Sequence, residues 1–162
     1  MLRENEIVAL KIGDIKVYAD RVVITIQYSK TNPVPVEITL FKRDDLLCPV
    51  RAVTQWMMLR QQFLPKNANK LLFWTIKGKL ASPLSASALD NKFKQLVKLV
   101  LGLDPADYSI HTLRRSGCTA LHQAGVSDAT LKAMGRWASL AFLRYIVITL
   151  DSIEFAQAAI KV

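Results

Sequence analysis

Disulfides, structural zinc and a membrane span all lack their raw material in this chain. Only two cysteines occur among 162 residues, Cys48 and Cys118. They stand far apart with no C-x-x-C pair, which excludes a disulfide framework and fits reduced core thiols. His111 and His122 are the only histidines, too few beside those cysteines for a zinc site. No run approaches the roughly 18 apolar residues that a spanning helix needs. The first residues carry no apolar block of the signal-peptide kind. Internal repeats, low-complexity tracts and linker-like stretches are missing as well. What is present is ordinary for a soluble fold: 51% hydrophobic and 22% charged residues exclude wholesale disorder. The length suits one domain with a substantial core and is short for two.

Acidic charge is the other shortage. The formal net charge is +9, and it is spread unevenly. Residues 1–60 carry +2, residues 61–120 carry +6, and residues 121–162 carry +1. A central excess of lysine and arginine attracts a phosphate backbone and raises association rates, although a basic surface serves solubility alone just as well. No long lysine-rich amphipathic helix points to an anionic membrane.

Periodicity supplies the elements. Arg3 to Leu10 reads as the tail of a helix ending near Gly13. Asp14–Tyr18, Arg21–Gln27 and Val34–Leu40 read as three short strands, with Val22, Ile24 and Ile26 alternating on one face and Ala19-Asp20 as a turn. Pro49 opens a helix to about Leu64 whose inward face is Val50, Val53, Trp56, Met57 and Phe63. The apolar run Leu71–Ile76 and a Gly78 turn follow. A helix over Ser85–Val100 turns Leu89, Phe93, Leu96, Val97 and Val100 inward, and Gly102 closes it. His111–Ala124 is the next helix, stopped by Gly125. Ser127 caps another through Met134, stopped by Gly135. Ser139 caps a segment carrying Phe142, Leu143 and Tyr145, and Asp151–Ile160 is the last helix. The expected fold class is α+β, mainly helical, with a small antiparallel three-stranded sheet.

Late in the chain stand His111-Thr112-Leu113-Arg114, then Trp137, then Tyr145. A phosphodiester is cleaved without metal when a nucleophile attacks in line, cations hold the developing charge, and a proton reaches the leaving oxygen. Tyrosine suits the nucleophile because its phosphate ester stores the bond energy for rejoining. Arg3 and Arg114 suit the two non-bridging oxygens, since guanidinium forks match phosphate geometry and stay charged. His111 lies three residues before Arg114 and shares its helical face. Trp137 can donate its indole N–H or pack the tyrosine segment. Lys30, on a hairpin tip, can reach a DNA groove and deliver a proton.

In these motifs the chain resembles the catalytic domain of the tyrosine recombinases, the phage-type integrases. The matching pieces are L-R-x-x-E-I at Leu2 to Ile7, S-K-T at Ser29 to Thr31, H-x-x-R at His111 to Arg114, G-R-W at Gly135 to Trp137, and R-Y-I at Arg144 to Ile146. Each alone is weak; five in the right order over residues 2–147 are specific. The G-R-W-x-S…L-R-Y-I wording, with eight residues from Trp137 to Tyr145, is similar to recombinases of Crypton- or DIRS-like mobile elements. The family's helical material before its first arginine, and the DNA-clamping core-binding domain ahead of that, have no counterpart in these residues. The expectation is thus a single catalytic domain over residues 1–162, truncated at its N-terminus.

The resemblance implies a role for each matched position. Arg3, Lys30, His111, Arg114, Trp137 and Tyr145 fall on the catalytic set, with Tyr145 as nucleophile and Glu6 in support. A carboxylate beside the phosphate would repel it, so Glu6 orders the arginine and backbone nearby. Implied too are double-stranded DNA as partner, strand cleavage and rejoining through a 3′-phosphotyrosyl intermediate, no metal or nucleotide cofactor, a homo-tetramer on paired sites, and an intracellular, DNA-associated protein. Lys92, Lys94, Lys98, Arg115 and Arg136 are the expected phosphate contacts. His122 is expected to lie away from the chemistry, and Trp56 and Trp74 to belong to the core. Two alternatives stay open: a DNA-binding module that does not cleave, and a relaxing activity of the type IB topoisomerase kind.

Overall fold

The computed structural model describes residues 1–28, 34–63, 70–77, 80–148 and 150–158. The chain divides into two compact units, Glu4–Leu89 in one and Met1–Arg3 with Asp90–Val162 in the other.

The first unit opens with α1 (Glu4–Ala9) and a 3-10 turn at Ile12–Asp14. The buried Asp14 carboxylate accepts from the Lys11 N–H at 2.8 Å and from the Gln27 amide at 2.7 Å, tying that turn to the far end of the sheet. β1 (Ile15–Val17), β2 (Arg21–Ile26) and β3 (Val36–Phe41) form an antiparallel sheet in that order. Its register pairs Lys16 with Val23 and Ile24 with Ile38. β2 is the middle strand, and Val22, Val23, Ile24 and Ile26 are all buried. That run is apolar on both faces because a strand covered on both sides gains from burying both. α2 (Pro49–Phe63) packs against all three strands. Its Trp56 indole N–H donates to the Leu72 carbonyl at 3.0 Å, and its ring lies 5.6 Å from that of Phe73.

A second sheet, β4 (Trp74–Lys77) with β5 (Leu80–Pro83), was not expected from the sequence. Its second strand, Leu-Ala-Ser-Pro, has no β-branched residue and ends in proline, so it carries no strand signal of its own. Pairing with β4 decides its conformation. Phe63 also departs from expectation: it is exposed at the last turn of α2.

α3 (Ala86–Leu96), which belongs to the second unit from Asp90 onward, passes into a π turn at Val97–Leu101, closed by Gly102 at φ +66°. The wider turn breaks the i, i+4 stripe. Val97 stays buried, while Leu96 and Val100 face solvent rather than the core. α4 (Ile110–Gln123) starts at a capping box in which the Ser109 N–H donates to Thr112 Oγ1 at 3.1 Å. α5 (Asp128–Gly135) is capped by Ser127 as its sequence indicates. Gly135 does not stop it; the left-handed residue is Arg136, at φ 54°. Ser139 caps a 3-10 turn, Leu140–Tyr145, and α6 (Leu150–Ala158) follows. The core of this unit is Cys118, Leu131 and Phe142, all fully buried, with Met1, Leu121, Val126, Trp137, Tyr145 and Ile146 packed around them. Both cysteines are buried free thiols.

The fold is α+β and mainly helical, with the small three-stranded antiparallel sheet that the sequence leads one to expect. Among the described residues no helix is long and apolar enough to cross a membrane. Leu131, at 0% exposure, joins α5 to α4 and the 3-10 turn. Leu131→Ala is expected to lower unfolding free energy by about 2–5 kcal/mol, read as a denaturation midpoint shift with unchanged slope.

Candidate functional site

The capping box at Ser109 sets where α4 begins, and so which residues line its inner face. His111, Arg114 and Cys118 follow at i, i+3 and i+7 and share one stripe. Arg114 is only 5% exposed. Its guanidinium donates through Nη1 to the Met1 carbonyl and through Nη2 to the Gly135 carbonyl. Its Cζ lies 4.5 Å from the centre of the Trp137 ring, in cation–π contact. A lysine could not reproduce this, because the planar fork serves two acceptors while its face stacks on indole.

Gly135 explains how the indole reaches that place. A Cβ on Gly135 would fall 1.9 Å from a Trp137 ring carbon, so the ring lies directly on the glycine backbone. Arg136 supplies the reversal. In its left-handed conformation the Trp137 N–H returns to the Lys132 carbonyl at 3.1 Å, folding the indole back over the last turn of α5. A non-glycine residue at positive φ costs about 1–2 kcal/mol, which the ring packing behind it offsets. Glycine therefore stands one residue before the left-handed position: close approach needs it there more than the turn does.

Trp137 then meets Phe142 at 5.6 Å and Tyr145 at 5.7 Å between ring centres. The His111 ring meets Tyr145 edge-on at 5.3 Å. His111 is exposed and Tyr145 half-buried, so the phenol ring sits between an imidazole open to solvent and an indole backed by core. The Tyr145 carbonyl accepts from Thr119 Oγ1, and the Cys118 thiol approaches the Phe142 carbonyl at 4.0 Å. Burial pushes the Cys118 thiol up, keeping it protonated as a weak donor. A phenol, an imidazole, an indole and a guanidinium thus form one continuous cluster.

Of the six expected catalytic residues, His111, Arg114, Trp137 and Tyr145 are in this cluster. Arg3 is half-buried and belongs to the same compact unit, two residues beyond the Met1 carbonyl that Arg114 holds. Glu6 is buried in α1, in the other unit. Lys30 lies outside the described residues. Of the expected phosphate contacts, Lys92, Lys98 and Arg115 are exposed. Lys92 donates to Gln95 at 3.3 Å, Lys94 pairs with Asp90 at 3.0 Å, and Arg136 is half-buried at its cap. His122 stands at the opposite end of α4 from His111, roughly 16 Å along the axis, with Nδ1 3.9 Å from Asp128. Four contributors escaped sequence reasoning: the Met1 carbonyl, Gly135, Thr119 and Asp90. The G-R-W spelling is a signal for Gly135; a backbone carbonyl has none.

A family model described as the phage integrase family matches residues 1–146. Among solved structures, the chain is similar to XerH site-specific recombinase bound to palindromic difH substrate, a post-cleavage complex. That match has TM-score 0.74 and 22% identity, and covers 98% of this chain and 41% of that one. A pre-cleavage complex of XerH with difH substrate gives TM-score 0.68 at 23% identity, covering 97% and 42%. The Tn1549 transposon integrase in complex with a circular intermediate DNA gives 0.60 at 18%, covering 97% and 54%. The chain spans about half or less of the length of these structures. No curated protein matches it in sequence.

Asp90 anchors the start of α4. Its carboxylate accepts from the Ile110 N–H at 2.7 Å and pairs with Lys94. The Ile110 N–H, then Lys94, hold its carboxyl below the usual carboxylate range. A depressed folded-state value means stability that is complete above the unfolded value and lost as pH falls through the folded one. Asp90→Ala is expected to cost about 1.5–3 kcal/mol at neutral pH. The gap from the parent protein should close as pH drops below about 4. Paired denaturation curves across that range check it; a pH-independent gap would exclude the carboxylate as its source.

Proposed function

The chain belongs to the phage integrase family, and from that premise we propose that it cleaves and rejoins DNA strands through a 3′-phosphotyrosyl intermediate on Tyr145. The observation that carries this reading is the cluster in which the Tyr145 ring lies between His111 and Trp137, with Arg114 stacked on the indole. Tyr145 Oη attacks the scissile phosphorus in line. His111, the imidazole beside the phenol, takes its proton. Arg114 and Arg3 hold the non-bridging oxygens, and the Trp137 indole N–H adds a neutral donor. Lys30 protonates the leaving 5′-oxygen, and Glu6 orders the backbone near Arg3. The freed 5′-hydroxyl then attacks a phosphotyrosyl bond in a partner strand, which regenerates the phenol.

DNA as partner is supported by net charge +9, by the difH substrate bound in the XerH structures and by the circular intermediate DNA in the Tn1549 integrase complex. The reading extends to an intracellular, DNA-associated protein that works as a homo-tetramer on paired sites. The G-R-W-x-S…L-R-Y-I wording, with eight residues from Trp137 to Tyr145, favours a mobile-element recombinase of the Crypton or DIRS kind. No metal or nucleotide is assigned to the reaction. Residues 1–162 serve as its catalytic domain.

Incubation with a pool of nicked suicide duplexes is expected to give a denaturation-resistant protein–DNA adduct. Tyr145→Phe should abolish the adduct and leave binding intact, because only the nucleophilic oxygen is removed. Arg114→Ala should slow its formation by about 10²–10³-fold, as for loss of one oxyanion donor. An adduct that persists in Tyr145→Phe would overturn the mechanism; binding with no adduct across the pool would leave a DNA-binding module.

Neutralising Lys92, Lys98 and Arg115 together is expected to weaken binding to unrelated duplexes alike. The slope of log affinity against log salt should become shallower by about 0.9 for each phosphate that is no longer neutralised. An unchanged slope would remove these residues from the interface.

A further inference from the structure

Thr119 has no part in the chemistry above, yet its hydroxyl donates to the backbone carbonyl of Tyr145. A threonine inside a helix ordinarily turns its hydroxyl back to a carbonyl one turn earlier in the same helix. This one reaches a carbonyl 26 residues further along the chain. The acceptor is the last carbonyl of the Leu140–Tyr145 3-10 turn, a position where helical turns leave carbonyls without partners of their own. The neighbouring Cys118 thiol approaches the Phe142 carbonyl of the same turn at 4.0 Å. Two adjacent positions of α4 thus meet two carbonyls three residues apart. The helix carrying His111 and Arg114 is also the one that grips the backbone of Tyr145.

We infer that Thr119 is a positioning residue: its hydroxyl fixes the Tyr145 backbone so that the phenol stays between His111 and Trp137. The aromatic contacts alone do not set this geometry. Ring pairs at 5.3 and 5.7 Å tolerate sliding, whereas a hydrogen bond to the Tyr145 carbonyl fixes where the Cα sits. The inference rests on Tyr145 as nucleophile for its catalytic meaning, but the placement can be read without DNA.

The chain has four tyrosines, so ring-¹³C-tyrosine labelling gives few resonances, and Tyr145→Phe identifies the one that matters. In the parent protein the ring currents of His111 and Trp137 displace that resonance from the exposed-tyrosine position. Thr119→Val, which keeps the shape, and Thr119→Ala should each lose more than half of the displacement. Thr119→Ser, which keeps the hydroxyl, should retain it. Ser127→Ala removes an N-cap hydroxyl on α5 that makes no contact with Tyr145; it should lower stability and leave the resonance in place.

On the nicked suicide duplexes that trap the parent protein, Thr119→Val should slow adduct formation at saturating DNA by tenfold or more without changing the half-saturating DNA concentration. Thr119→Ser should restore the rate. An unmoved Tyr145 resonance in a folded Thr119→Val or Thr119→Ala protein overturns the inference, as does loss of the displacement in Thr119→Ser. A parent protein that shows the displacement and its hydroxyl dependence but forms no adduct upholds the placement and overturns only the nucleophilic reading.

Discussion

A guanidinium buried at Arg114 cannot sit idle, because a charge removed from water must be met by dipoles or counter-charges. Here two backbone carbonyls and an indole face meet it. Met1 brings the N-terminal residues onto α4, Gly135 brings the end of α5, and Trp137 closes over the cation. Each contact recruits a segment distant in sequence, so one side chain determines where three segments come together. The rest of the cluster depends on this: with the indole laid on Arg114 and Gly135, its other edge meets Phe142 and Tyr145. The same contacts hold the guanidinium in one fixed orientation.

Much of this was legible in the sequence because the informative features are local. Ser127 spells a cap, Val22, Ile24 and Ile26 spell a strand, and Gly102 spells a helix end. The features that were not legible depend on partners far along the chain. β5 has no strand propensity and exists through its pairing with β4. Val100 fits a helical stripe on paper, but the π turn takes it out of phase. Gly135 reads as a stop signal, yet it serves the Trp137 ring, and the turn falls to Arg136 at a conformational cost no local rule anticipates.

The cluster shows the same division. His111 and Arg114 are found by spacing, and Trp137 and Tyr145 by motif order, since their side chains carry recognisable chemistry. Met1, Gly135 and Tyr145 also act through backbone carbonyls, which every residue possesses and no spelling marks. Thr119 and Asp90 are ordinary helix-face residues whose importance lies in the acceptor or donor they reach: a carbonyl 26 residues later, and an amide 20 residues later.

α4 starts on a carboxylate at Asp90, carries the imidazole and guanidinium over its first turns, and ends its inner contacts with a hydroxyl on the tyrosine's own backbone. Helical geometry sets the distances along this line at about 1.5 Å per residue, and it does so with less freedom than loops would allow. The tyrosine itself lies on a short 3-10 turn, an element whose hydrogen-bond geometry is poorer than that of an α-helix. A side chain on such a turn takes its position from its neighbours. Rigidity borrowed from α4 can be given up by breaking one or two hydrogen bonds and a ring contact, so the same interactions that place the phenol also set how readily it leaves.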